Sequence, residues 1–173
     1  MRGDELLLDA FSRIRESVHD VIDGLTLEQS VRRPDEHANS VAWLVWHLAR
    51  VQDDHVADVA NREQVWTADG WAERFALPFS DSATGYGDSA GQVAQVRVEP
   101  ELLAKYLDAV HEQTVSYVSG LADDDFDRVV DGSWDPPVTL GVRLVSVVSD
   151  CLQHVGQAAY LRGIVERRQI SGP

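Results

Sequence analysis

Asp150 and His154 stand four residues apart in the stretch SDCLQHVGQAAYLRG, which runs from Ser149 to Gly163. On a helix, side chains at that spacing converge on one point, so a carboxylate and an imidazole there can share a proton, an ion or a polar substrate. At about 100° per residue, they also share a face with Arg143, Ser146 and Gln157. Leu144, Val145, Val148, Leu152, Val155 and Ala159 crowd the opposite side. One reading makes the polar stripe the wet side of an amphipathic helix. The other turns it into an internal pocket, because Arg143 and Asp150 are the only charged residues from Thr139 to Leu161, too few to solubilise an exposed face. Both readings stand on this segment alone.

A second imidazole lies far upstream. His47 sits among Trp43, Leu44 and Val51 on a strongly apolar helical pattern, which predicts burial. A solitary buried histidine is commonly a hydrogen-bonded core residue. Asp54 and His55, seven and eight positions on, lie about 10–12 Å further along the axis and cannot share an ion with it. Partner ligands for His47 must come from another helix, and Asp150 with His154 would complete a two-histidine, one-carboxylate set. Such a set suits Zn²⁺ with its fourth position open, whereas closed structural sites use four protein ligands. It equally describes a non-haem Fe(II) triad and accommodates Ni²⁺. A thiol entering the open position would be held as thiolate, giving S-transfer. Water there would give a hydrolase. Gln157 and Arg143 are candidates to bind a cofactor or substrate, Arg143 through an anionic group. Cys151 reads as a buried, inert thiol. Asp54 shares the face of His47, and His19, His37, His55 and His111 read as surface or capping residues.

These residues need helices to position them. Leu7, Leu8, Phe11, Ile14, Val18, Val21 and Ile22 recur at helical spacing between Asp4 and Leu25. Asn39 is placed to cap a second helix, SVAWLVWHLARVQDDHVADVA. Pro100 opens a third, which ends near Gly120 in a left-handed cap. After ADDDFD and a rigid WDPPVT, a fourth runs from Thr139 to Val165. Between the second and third, Trp66 to Val98 is rich in Gly, Ser and Asp, too long for a simple turn. Its GYGDSAG lacks the strand-to-helix context of a dinucleotide loop and reads as a flexible crossover beside the pocket, with the character of a lid. The expectation is one all-α domain over residues 1–173, a four-helix bundle with a long connection between helices two and three.

The segments NSVAWLVWHLARVQDDHVADV, GYGDSAGQV, SWDPPVTLGVRLVSVVSD and CLQHVGQAAYLRG together resemble the DinB-like superfamily, over nearly the whole chain. The likeness is strongest to actinobacterial members related to mycothiol-dependent enzymes, such as the N-terminal domain of maleylpyruvate isomerases. That resemblance implies a metal-binding four-helix bundle with His47, Asp150 and His154 as ligands. Many members carry His at the position of Asp150; the isomerases carry a carboxylate. The isomerases also have a second domain that has no counterpart before Pro173, so their particular reaction does not carry over. The resemblance implies mycothiol as thiol cosubstrate and a small electrophile as its partner.

Composition sets the remaining bounds. With 15 basic and 29 acidic side chains the formal charge is −14. That surface repels phosphate backbones and anionic headgroups, which argues against a nucleic-acid or membrane partner. One cysteine excludes an internal disulfide, and no apolar run reaches the roughly 18 residues needed to span a bilayer, so a soluble, cytoplasmic protein is expected. Apolar residues left over on the first and third long helices could serve a homodimer or complete the core. Three functions follow: a metal-dependent thiol S-transferase or thiol-assisted isomerase, a metal-dependent hydrolase, and a non-catalytic bundle that binds a metal or small molecule.

Overall fold

The computed structural model describes residues 2–170, with side chains described through 167. The first long helix, α1 (Gly3–Ile22), buries Phe11, Ile14, Val18, Val21 and Ile22, the stripe expected from its three-and-four spacing. After a single turn, α2 (Leu27–Ser30), comes α3 (Val41–Ala60). Its first amides are capped by Ser40, whose Oγ accepts from the Trp43 amide at 3.1 Å, so the cap falls one residue beyond the expected Asn39. Every residue from Val41 to Arg50 is buried, and the helix ends at Asn61 in the left-handed region, φ 51°.

The crossover is more structured than its composition suggests. It holds three short helices, α4 (Val65–Ala68), α5 (Trp71–Phe75) and α6 (Ala90–Val93). Asp53 of α3 accepts from the Val65 and Trp66 amides at 2.9 and 2.8 Å, neutralising the exposed N–H end of α4. Trp66, Trp71 and Phe75 then pack around the Tyr106 ring. Tyr106 belongs to α7 (Pro100–Val118), which starts with proline at its first position as expected. It closes on Ser119 in the right-handed region, not on a left-handed Gly120.

WDPPVT adds the one element outside the helical expectation. After a 3-10 turn over Asp123–Asp127, β1 (Val129–Asp131) pairs antiparallel with β2 (Val138–Thr139). This hairpin leads into α8 (Leu140–Ile170). The four long helices make an all-α bundle: α1 and α3 each pack against both α7 and α8, which sets them on opposite corners. The core face of α8 is Leu144, Val147, Cys151, Val155 and Ala158. Val145 and Leu152, expected on the apolar side, are 60% and 48% exposed instead. The apolar sector of the sequence is wider than the groove between α1 and α3, so only its centre is covered.

Candidate metal centre

His47 comes from the middle of α3 and is 5% exposed. Its Nδ1 lies 2.5 Å from the Thr84 carbonyl oxygen, which can only accept, so the ring donates there and its Nε2 carries the lone pair. Trp43, one turn earlier, stacks on the same ring with centroids 4.7 Å apart and planes 11° from parallel. The other flank is Gly85, at φ +89°, where a Cβ would stand 2.8 Å from His47 Nδ1. The crossover thus lies directly on the imidazole.

From α8, His154 approaches edge on. Its Nδ1 is 3.3 Å from Gln157 Oε1, and its Nε2 faces Asp150 Oδ1 at 3.5 Å. Both rings therefore turn their Nδ1 atoms outward to an oxygen acceptor. One potential ligand atom each from His47, Asp150 and His154 falls within 4.8 Å of the others, and no other such group of His, Cys, Asp or Glu occurs among the described residues. Asp150 Oδ2 is buried with no hydrogen-bond partner. An orphaned, buried carboxylate oxygen beside two imidazoles is a donor set that suits a divalent cation, so the residues fit the metal that the sequence resemblance implies.

The electrostatics agree with that arrangement. Burial holds the His47 imidazole below its usual pKa, against the opposing pull of the Thr84 carbonyl, with His154 adding to the lowering. The hydrogen bond to Asp150 raises His154, partly offset by burial. The same bond lowers Asp150, against its own desolvation. In the absence of a cation, Asp150 and His154 form a mutually stabilised couple next to a neutral His47.

A cavity of about 210 Å³ opens on the group, lined by His47, Val51, His55, Tyr86, Ser146 and Asp150 among others. Three larger depressions, of about 430, 380 and 340 Å³, lie beside Pro100, Leu152 and Gln64 and contain no comparable group among the described residues. The smaller cavity is the one of these that reaches His47 and Asp150. Tyr86, 94% exposed, stands at its mouth.

The sequence-derived ligands come together; the two expected cofactor contacts do not join them in the cavity wall. Gln157 supports His154 from behind. Arg143 pairs with Asp131 of the hairpin at 3.4 Å. Cys151 is fully buried, its thiol pushed up by desolvation. Asp54 accepts from Gln64 Nε2 at 2.7 Å, and His55, read as a surface residue, lines the cavity. His19 bonds Asp108, while His111 Nδ1 is buried without a partner. The Thr84 carbonyl was invisible to side-chain patterning. The nearest signal was Gly85, whose missing Cβ permits the close approach.

A bundle of four long helices, the second and last of which bring His47, Asp150 and His154 together, is a DinB-like fold. The family model for mycothiol S-transferases matches residues 6–167, and the chain belongs to that family. It is also similar to a conserved protein from Enterococcus faecalis of known crystal structure. The two share 32% sequence identity over 95% of this chain and 98% of that one, with a TM-score of 0.89. No functionally curated protein matches the chain. None of the helices among the described residues is long and apolar enough to cross a membrane.

Proposed function

We propose that this chain is a metal-dependent enzyme, zinc being the preferred ion, that joins the sulfur of mycothiol to a small electrophile at the cavity beside His47, Asp150 and His154. The observation that carries this reading is the orientation of the two imidazoles. Each is tied by Nδ1 to an oxygen acceptor, leaving Nε2 for the shared centre next to the unpartnered Asp150 Oδ2. Zn²⁺ bound by these three residues would supply thiolate stabilisation at neutral pH.

The chain's own groups do the rest. Burial favours the neutral form of His47, Trp43 shields its ring from water, and His154 would give up its proton to Asp150 or solvent on binding the ion. The cavity admits a compact electrophile between Val51, Tyr86 and Ser146. In the transfer, the sulfur forms a bond to the electrophilic carbon, the leaving group departs with its electron pair, and the thiol proton passes to solvent. Gln157 keeps His154 in place, and Arg143, two turns before Asp150, is proposed to meet the anionic part of the thiol cosubstrate. The charge of −14 supports a reaction that involves no nucleic-acid partner.

The test is metal analysis of protein purified without a nickel column, followed by mycothiol-dependent conjugation of monochlorobimane. Stoichiometric metal and thiol-dependent turnover are expected. Full metal occupancy in His47→Ala would overturn the ligand set. Ester hydrolysis without thiol would replace the reading with a hydrolase, and failure to take up metal on reconstitution would leave a non-catalytic binding bundle.

A further inference from the structure

Arg50 is the most costly residue in the core to explain. Its guanidinium is completely buried, and an apolar side chain of similar volume would avoid the desolvation of a charge. It packs over the Trp66 ring at 4.7 Å and lies 3.6 Å from Asp53, whose carboxylate is already engaged by the Val65 and Trp66 amides and by the Tyr106 hydroxyl at 2.8 Å. Its own N–H groups point elsewhere. Nε donates to the Ala83 carbonyl at 3.0 Å, and one terminal nitrogen donates to the Asp81 carbonyl at 3.1 Å. The other donates to Gln64 Oε1 at 2.8 Å and to Tyr106 Oη at 3.3 Å.

Ala83 immediately precedes Thr84 and Asp81 lies three residues before it, and the Thr84 carbonyl receives the His47 Nδ1 proton. Arg50 is three residues after His47 on α3, so the two side chains leave neighbouring positions on one face, about 4.5 Å apart along the axis. Further along the crossover, Trp43 Nε1 donates to Asp88 Oδ2 at 3.0 Å. The segment from Asp81 to Asp88 is therefore laid along α3 by Arg50, His47 and Trp43 in register. Of these, only the guanidinium has the forked donors to fix two carbonyls at once.

We infer that Arg50 is a positioning residue for His47: by clamping the carbonyls of Asp81 and Ala83 it sets the place of the Thr84 carbonyl, which selects the Nδ1–H tautomer and aims Nε2 at Asp150 and His154. This rests on the reading of His47 as a ligand only for its consequence in metal binding. The tautomer itself is a property of the metal-free protein.

The experiment compares wild type, Arg50→Lys and Gly85→Ala. Lysine keeps the charge but presents a point donor in place of a fork. An alanine Cβ at residue 85 attacks the same linkage from the loop side, and serves if the Arg50 variant does not fold. Long-range ¹H–¹⁵N correlation of the histidine rings in metal-free protein reads the tautomer, and chelator competition reads zinc affinity. Wild type is expected to show His47 protonated at Nδ1 only; the variants should show a tautomer mixture and about ten-fold or greater loss of affinity, the usual cost of removing a supporting partner. A wild-type ring protonated at Nε2, or a folded Arg50→Lys that keeps both the wild-type tautomer and affinity, overturns the proposal. If wild type takes up no zinc, the metal reading fails while the ring spectra still decide the role of Arg50.

Discussion

The rings of His47 and His154 meet edge to face, centroids 4.6 Å apart and planes at 81°. Two imidazoles that close cannot both carry protons at low cost, and burial already depresses His47. The contact is stable only with at least one neutral ring, the state in which a histidine binds a cation.

Asp150→Asn tests the carboxylate without changing its shape. Because Oδ2 has no protein partner and Oδ1 meets His154 only at 3.5 Å, the metal-free variant should keep its stability within about 1 kcal/mol in urea melts. Zinc affinity, by contrast, should fall by more than the roughly 10–100-fold that supporting residues cost. Equal losses in both measurements would mark Asp150 as structural.

Gln157→Leu removes the acceptor from His154 Nδ1 and leaves all three candidate ligands intact. Chelator competition should show roughly ten-fold weaker zinc binding. An unchanged affinity would mean that Gln157 does not orient the ring.

Asp108 of α7 holds α1 through Arg15 Nε at 2.6 Å and His19 Nε2 at 2.8 Å. Burial pushes its pKa up, but the hydrogen bonds from His19 and Arg15 outweigh this and the net shift is downward. A carboxyl lowered in the folded state adds stability above its unfolded pKa of about 3.9 and loses it as pH falls through the folded value. Asp108→Asn should therefore flatten the acid limb of a stability–pH curve below about pH 4. A variant curve parallel to wild type there would refute the pairing.

Cys151 should resist a thiol reagent such as dithionitrobenzoate in the native state and react once in denaturant. Its sulfur is fully buried, 3.6 Å from the Leu48 carbonyl, and desolvation holds it as thiol. Rapid native labelling would bring an internal nucleophile into contention with an added thiol.

How much of this was legible in the sequence depends on what carried the information. The long helices were written in apolar spacing, as in Phe11, Ile14, Val18, Val21, and their ends were placed within a few residues. His47 was readable as buried because Trp43, Leu44 and Val51 surround it. Asp150 and His154 were readable from a helix almost without charge. The hairpin and the three short helices were not, since they depend on tertiary partners such as Asp53 capping α4 and Tyr106 gathering the tryptophans. Backbone acceptors like Thr84 have no side-chain signature at all, and GYGDSAG looked flexible because Trp43, which anchors it through Asp88, is remote in sequence.

The diagonal placement of α1 and α3 has a mechanical outcome. The seam between α3 and α8 carries both His47 and Asp150, so sliding one rod past the other by a single residue's rise, about 1.5 Å, would open or close the grip on a guest ion. The α1–α7 seam carries neither arm of that calliper, which makes it the natural place to attach a label for watching it move.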